Sequence, residues 1–182
     1  MIFEEKKITC RDGRSCILRS PRIEDAPELV KYLKQTAMET PYLMREADEV
    51  TVTLEQEEEF IKRQIEAERG LMLLAEVDGK NAGSGAIDAV SDLRRYSHRC
   101  RIAIALYQEY CGLGIGAELL QTLLEAGKSL HYEQAELEVV ATNERAIYLY
   151  KSLGFEIYAT QSNSVKYSDG TYADLLLMMK RL

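Results

Sequence analysis

The fold of this chain is decided by one stretch, Tyr110-Cys111-Gly112-Leu113-Gly114-Ile115-Gly116-Ala117, here called the glycine loop. Three glycines at every second position let the backbone fold tightly and turn successive amide N–H groups to one side, with no side chain to keep a ligand away. A helical run follows at once, from Glu118 to Leu124, and the first N–H groups of such a helix have no intrahelical partner. The stretch therefore predicts a site that holds a pyrophosphate by main-chain donors.

An apolar run, Arg101 to Leu106, precedes the loop and predicts a strand that leads into it. The glycine spacing alone is ambiguous, because Gly112, Gly114 and Ala117 also fit the dinucleotide fingerprint Gly-x-Gly-x-x-Gly or Ala. That fingerprint should turn directly from strand to helix and open a long alternation of both. Here five residues, Tyr107 to Cys111, intervene, and only 65 residues follow the loop. A glycine-rich turn without a ligand is the remaining alternative.

Length and composition predict one domain, residues 1–182, because 182 residues with 46% hydrophobic content suit one full core. No apolar run approaches the roughly 20 residues of a membrane span. The N-terminus, Met1 to Lys7, lacks the apolar core of a signal peptide. We therefore expect a cytoplasmic protein that does not associate with membranes.

The charge and the cysteines exclude further classes of function. A net charge of −7 argues against a nucleic-acid partner, which requires basic patches, and mildly favours a cationic substrate. The four cysteines show no Cys-x-x-Cys spacing and only two histidines are available to join them, so no metal site is predicted.

Apolar periodicity and turn residues predict the other strands and helices. Before the glycine loop we expect a hairpin of 6–10 and 15–19, helices opening at Asp25-Ala26-Pro27-Glu28 and Thr53-Leu54-Glu55-Gln56, a hairpin of 71–77 and 81–90, and a strand of 98–106. After it we expect a helix to about Leu130, a strand of 135–141, a helix of 142–153 and a hairpin of 155–160 and 173–180. The strand of 135–141 returns from a crossover helix and should lie parallel to the strand before the loop.

Two motifs in register carry a resemblance to a known family. The glycine loop, the strand Ala135 to Ala141 and the pattern Asn143-x-x-Ala146-x-x-x-Tyr150-x-x-x-Gly154-Phe155 together resemble the Gcn5-related N-acetyltransferase (GNAT) superfamily. The match covers most of the chain. It implies an α/β fold whose mixed, mostly antiparallel sheet is splayed into a V and flanked by about four helices, with acetyl-CoA wedged into the gap.

The resemblance also implies which residues bind the cofactor. Loop amides would hold the pyrophosphate, main-chain groups near Ile104 to Leu106 would pair with the pantetheine, and Asn143 and Tyr150 would line the thiol end. The complete set of implied cofactor-binding residues is Ile104, Ala105, Leu106, Cys111, Gly112, Leu113, Gly114, Ile115, Gly116, Ala117, Asn143 and Tyr150. Tyr150 is expected to be the catalytic acid, since a phenol stays protonated at neutral pH and can give its proton to the departing thiolate.

The chain departs from the family pattern at Cys111, where the family usually has Arg or Gln. A guanidinium adds a charge-assisted bond to phosphate, so the departure predicts weaker cofactor binding rather than a different cofactor. The general base is open between His98, on the strand entering the loop, and a water molecule. A purely structural role for His98 is the alternative.

These observations predict an acetyl-CoA-dependent N-acetyltransferase that moves an acetyl group to a primary amine by direct attack in a ternary complex, without a metal. The alternatives are a non-catalytic acyl-CoA-binding module and a nucleotide-dependent oxidoreductase. The acceptor, a small molecule or a peptide, is open, because the family sets it in the first two helices, in the segment Glu39 to Val52 between them and in the last hairpin. Family habit also points to a homodimer formed at that hairpin.

Overall fold

The computed structural model describes all residues, 1–182, in one eight-stranded sheet and four α-helices. The strands are β1 (Lys6–Thr9), β2 (Ser15–Arg19), β3 (Leu71–Val77), β4 (Lys80–Ala89), β5 (Arg99–Leu106), β6 (Gln134–Val140), β7 (Glu156–Lys166) and β8 (Tyr172–Arg181). The helices are α1 (Ala26–Glu39), α2 (Leu54–Glu66), α3 (Ile115–Ser129) and α4 (Glu144–Ser152). None of these helices is both long and apolar enough to cross a bilayer.

The sheet has the order β1-β2-β3-β4-β5-β6-β8-β7, and its single parallel pair is β5 with β6. Every other neighbouring pair is antiparallel. The crossover through α3 produces the parallel pair, because a strand that returns from a helix runs in the direction of the strand before it. The mixed, mostly antiparallel α/β sheet predicted from the sequence is confirmed.

The sheet splits between β5 and β6. The two strands pair only over Arg99–Arg101 and Gln134–Glu136, although β5 continues to Leu106 and β6 to Val140. On its other edge β6 remains paired with β8 over its whole length. We call the gap between Ile102–Leu106 and Leu137–Val140 the cleft. It is the V that the family resemblance implied.

Small residues on β4 let β5 and α3 pack closely against it. An added Cβ atom at Gly85 would lie 2.9 Å from Ile104 Cγ2 and 2.9 Å from Leu123 Cδ1. The larger core lies on this face of the sheet and includes the fully buried Leu119, Leu120 and Leu123 of α3. A smaller cluster on the opposite face lies under α1 and α2 and consists of Ala26, Leu29, Tyr32, Ile61, Met72 and Leu74. The two clusters fix the first five strands as one unit.

One of the two predicted helix starts is wrong in its detail. The capping box of α2 is confirmed, since Gln56 N–H donates to Thr53 Oγ1 at 3.3 Å and Thr53 N–H to Gln56 Oε1 at 3.0 Å. α1 begins where expected, but the Asp25 side chain does not cap it. Its carboxylate instead accepts two bonds from Arg19, at 2.7 and 2.8 Å. A bidentate pair with a guanidinium joins two charged groups by two hydrogen bonds, whereas a cap would make one bond to an uncharged N–H.

Candidate active site

The glycine loop presents five consecutive main-chain N–H groups that have no partner within the chain. They belong to Gly112, Leu113, Gly114, Ile115 and Gly116. The flanking amides are already used, because Cys111 N–H donates to the Gln108 carbonyl and Ala117 N–H to the Gly114 carbonyl, each at 3.1 Å. Five open donors at the positive end of a 15-residue helix are suited to bind a phosphate group.

Two glycines give the loop its shape. Gly112 has φ +84° and Gly114 has φ +91°, a left-handed conformation that costs an L-residue roughly 1–2 kcal/mol. An added Cβ at Gly112 would meet no atom within 4 Å, so the space beside this residue is open to a ligand. These residues therefore fit the pyrophosphate that the sequence predicted.

Cys111 offers the loop neither a charge nor a free amide. Its Sγ atom lies 3.5 Å from the Tyr107 carbonyl oxygen, and its N–H closes a short 3₁₀ turn. The structure brings another cation to the loop, which the sequence analysis missed. The side chain of Arg11, in the turn between β1 and β2, lies 3.4 Å from the Gly112 carbonyl oxygen through Nη1.

The edge of β5 that faces the cleft has unpaired main-chain groups. Tyr107 N–H donates to the carbonyl of Ala82 in β4, at 3.1 Å. Because main-chain groups alternate between the two edges of a strand, Ile104 and Leu106 direct theirs toward the cleft. Ala105 directs its carbonyl to the β4 side, where it accepts the Tyr32 hydroxyl at 2.8 Å. Of the three residues predicted to pair with pantetheine, two are therefore placed to do so and Ala105 is not.

Tyr32 holds the part of β5 that lines the cleft, and the sequence analysis did not identify it. Its hydroxyl donates to Ala105 and accepts bonds from Ser84, from the main-chain N–H and from the hydroxyl, both at 3.2 Å. Burial raises the pKa of Tyr32 to about 12, so the hydroxyl stays a donor. Its ring packs edge to face on Tyr107 at 5.2 Å. Its spacing of three from Leu29 places it on the buried stripe of α1, and this was the available signal.

The helix α4 packs against the glycine loop and β5. Asn143 caps α4, because its Oδ1 accepts from Ala146 N–H at 3.2 Å, and its Nδ2 remains free to donate to a ligand. An added Cβ at Gly116 would lie 3.4 Å from Leu106 Cδ1 and 3.5 Å from Leu149 Cδ2. The glycine loop, β5 and α4 therefore meet at Gly116.

Tyr150 is the only buried residue of α4. Its side chain is 8% exposed and its ring packs edge to face on Phe155, with centroids 6.0 Å apart. Burial raises the pKa of Tyr150 to about 12. Tyr148 lies on the other side of the helix and is 77% exposed, as the helical spacing predicts. Tyr150 is thus a phenol that stays protonated in the physiological range.

His98 lies at the closed end of the V. It precedes β5, and its carbonyl oxygen accepts Glu133 N–H at 2.8 Å and Gln134 N–H at 3.1 Å. The paired segment Arg99–Arg101 separates it from the cleft by roughly 10 Å, at about 3.3 Å per residue. Of the two bases left open by the sequence, this placement favours water.

The segment between α1 and α2 bridges the two arms of the V. The Tyr42 hydroxyl donates to the Thr142 carbonyl at 3.2 Å, just before α4. Ser168 N–H, in the last hairpin, donates to a Glu46 carboxylate oxygen at 3.2 Å. The interhelical segment and the last hairpin, both expected to choose the acceptor, are therefore in contact.

Comparisons with known proteins agree with this arrangement. A sequence model described as the acetyltransferase (GNAT) family matches residues 29–155. An N-alpha-acetyltransferase of Sulfurisphaera tokodaii is 28% identical over 167 residues, 86% of this chain and 87% of the relative. The structure of a GNAT-family acetyltransferase from Streptococcus pneumoniae is 28% identical and superposes with a TM-score of 0.87 over 92% of this chain and 99% of its own. A phosphinothricin acetyltransferase from Sinorhizobium meliloti, in complex with acetyl-CoA, is 19% identical with a TM-score of 0.80 over 96% and 89%.

Proposed function

Because the chain belongs to the GNAT acetyltransferase family, we propose that it is an acetyl-CoA-dependent N-acetyltransferase acting on a primary amine in a ternary complex. The observation that carries this proposal is the row of five open amides, Gly112 to Gly116, at the mouth of the split between β5 and β6. Any helix leaves its first N–H groups unpaired, but here the row of open donors extends back into the loop as far as Gly112 and lies beside an unpaired strand edge.

Three sets of protein groups would bind three different parts of the cofactor. The loop amides would hold the pyrophosphate, and main-chain groups of Ile104 and Leu106 would hold the pantetheine as a strand pairs with its neighbour. The free Nδ2 of Asn143 would donate to a carbonyl oxygen of the cofactor nearer its thiol end. The bound thioester supplies the electrophilic acetyl carbon.

Tyr150 would protonate the leaving group. As the amine nitrogen bonds to the acetyl carbon, the C–S bond breaks and the thiolate sulfur takes the phenolic proton, while a water molecule accepts the proton of the amine. A phenol with a pKa of about 12 is a weak acid toward a free thiol of pKa about 8.5. The same burial also disfavours a thiolate, so the proton affinity of the sulfur rises with that of the phenol and the mismatch stays small.

The position of His98 favours an acceptor that needs no strong base. An α-amino group has a pKa of about 7.7–8.0 and is partly neutral at physiological pH, whereas a lysine or polyamine amine at about 10.4 is almost fully protonated. With water as the base, an α-amino acceptor reacts more readily. The relative from S. tokodaii is an N-alpha-acetyltransferase, which supports the same class, a peptide N-terminus.

A thiol-release screen tests the proposal. The protein and acetyl-CoA would be offered peptides with free N-termini, the same peptides blocked at the α-amine but carrying lysine, and a set of polyamines, amino acids and phosphinothricin. We expect turnover with free N-termini and little with the blocked peptides, with the product identified by mass spectrometry. Cofactor binding without turnover on any amine would instead support an acyl-CoA-binding module, and no binding of acetyl-CoA would reject both.

A further inference from the structure

The turn between β1 and β2 is docked against the glycine loop. The turn is Arg11-Asp12-Gly13, and it is held by a main-chain bond from Arg11 N–H to the Leu113 carbonyl at 2.9 Å. A second attachment comes from Arg14, whose guanidinium lies 5.5 Å from the centroid of the Tyr110 ring. The Cα position of Arg11 is therefore fixed at the loop, and its side chain begins there.

Arg11 is the free cation of this turn. The neighbouring Asp12 carboxylate is neutralised by Arg14, with Nε to Oδ2 and Nη2 to Oδ2 distances of 2.8 Å. Arg11 forms no salt bridge and its side chain is exposed. Its guanidinium instead lies along the loop, 3.4 Å from the Gly112 carbonyl oxygen, which is the long end of the hydrogen-bond range and a weak contact.

The same side chain borders the residue at which the helix starts. An added Cβ at Gly114 would lie 3.8 Å from Arg11 Cγ and 3.9 Å from Arg11 Nε. The guanidinium thus lies beside both left-handed glycines of the loop. A phosphate held by the amides of Gly112 to Gly116 would come within its reach, and the weak bond to a neutral carbonyl would be exchanged for a charge-assisted bond to an anion.

We propose that Arg11 is the cation that binds the cofactor pyrophosphate, in place of the basic or amide side chain that position 111 lacks. This assignment rests on the proposed function, because it presumes that the glycine loop binds CoA. It makes the β1–β2 turn part of the cofactor site, 101 residues away in sequence from the loop residue it contacts. In a protein of net charge −7, a cation at this point also offsets the repulsion of a polyanionic ligand.

Calorimetric titration of three ligands tests the assignment. Arg11→Gln should bind CoA and dephospho-CoA about 10-fold to 100-fold more weakly than the parent, the range of a hydrogen bond between charged groups. Pantetheine, which has no phosphate, should bind both proteins equally. Arg11→Lys should lose less, since it keeps the charge without the planar fork. The difference should shrink as salt is raised, because the contact is exposed.

Lys7→Gln is the matched control, because Lys7 lies on the same hairpin, is exposed, forms no salt bridge and does not contact the loop. It removes the same charge and should leave binding of all three ligands unchanged, and thermal unfolding should show all variants folded. Equal affinity of Arg11→Gln and the parent would overturn the assignment, as would an equal loss in Lys7→Gln. A loss for CoA alone would also overturn it, since that would mean a contact to the 3′-phosphate.

A rescue experiment gives an independent result. Cys111→Arg should restore most of the lost affinity in the Arg11→Gln background but change the parent by no more than about threefold, because residues that serve one group are not additive. Equal gains in both backgrounds would show that the two positions serve different groups and that the assignment is wrong. If the parent itself fails to bind CoA, the proposed function fails, and that result is separate from all of these.

Discussion

The glycine loop and α4, to which the proposed function assigns the phosphate end and the thiol end of the cofactor, offer different chemistry. At the glycine loop, main-chain N–H groups of Gly112 to Gly116 are open and an exposed arginine lies beside them. At α4, the titratable group is a phenol that is 8% exposed and whose pKa burial raises to about 12. The first end is suited to a permanent charge and the second to a proton that stays bound until a strong base forms beside it.

Because of this difference, we expect the glycine loop to set the affinity for the cofactor and Tyr150 to set the rate of the chemical step. A multiply charged phosphate group interacts equally with the protein before and during the reaction, so contacts at the glycine loop lower the free energy of both states. In the proposed mechanism a thiolate exists only as the C–S bond breaks, so a proton donor at Tyr150 would act on the transition state alone. Substitutions at the two ends should therefore change different kinetic constants.

The largest effect is expected at Tyr150. Tyr150→Phe keeps the ring that packs on Phe155 and removes only the hydroxyl. General acid catalysis contributes roughly 10²–10⁴-fold, so kcat should fall by that factor while the Kd for acetyl-CoA stays within about threefold. Tyr148→Phe, on the exposed side of the same helix, is the control and should behave as the parent.

Single-turnover kinetics would show whether chemistry limits the rate of these variants. If the chemical step of the Tyr150→Phe variant ran within a factor of about three of the parent rate, water would be the proton donor. Tyr150 would then not control the reaction rate, and the separation of affinity at the glycine loop from rate at α4 would be wrong.

A smaller effect, on binding alone, is expected at Gly114. At φ +91° a valine would strain the backbone by roughly 1–2 kcal/mol or move the loop amides, so Gly114→Val should weaken CoA binding by about 10-fold. Gly170→Val is a matched control, since Gly170 has φ +85°, has no atom within 4 Å of an added Cβ, and lies in the β7–β8 turn. Both variants should lose similar stability by thermal unfolding, yet only the first should lose affinity by calorimetry. Equal CoA affinity in the two would remove the loop from the site.

The residues that sequence reasoning found are those whose role depends on local backbone. Gly112 and Gly114 occupy left-handed positions, and Asn143 caps the helix that follows it, so each is specified by its neighbours in the chain. The GNAT resemblance added the split in the sheet. Periodicity could not supply it, because a splayed strand pair and a closed one have the same alternation of apolar residues.

The residues that were missed act across the fold. Arg11 meets Gly112 over 101 positions, and Tyr32 meets Ala105 over 73. The Asp25 cap was assigned from local sequence, and Arg19, contributed by β2, took its carboxylate instead. A turn such as Arg11-Asp12-Gly13 predicts its own shape, but where it docks depends on how the whole sheet is ordered. The positions of these side chains are therefore set by tertiary contacts, which the local sequence does not specify.

The smallest effect is expected in the dependence of kcat on pH, where we predict no change at alkaline pH. A group whose pKa is raised keeps its proton to higher pH, so Tyr150, with a pKa of about 12, should remain an active acid through pH 10. An unperturbed phenol of pKa about 10 would be half ionised there and would halve kcat. With a saturating α-amino acceptor, which is neutral above its pKa of about 8, kcat should stay level from pH 8.5 to 10. Circular dichroism should show the fold intact over that range, since burial also raises the pKa of Cys16 and of Cys100 to about 12 and both thiols stay almost fully protonated through pH 10. A fall of kcat by half near pH 10, absent in Tyr150→Phe, would mean that the phenol is solvated, and the contrast between an open phosphate end and a dry thiol end would be wrong.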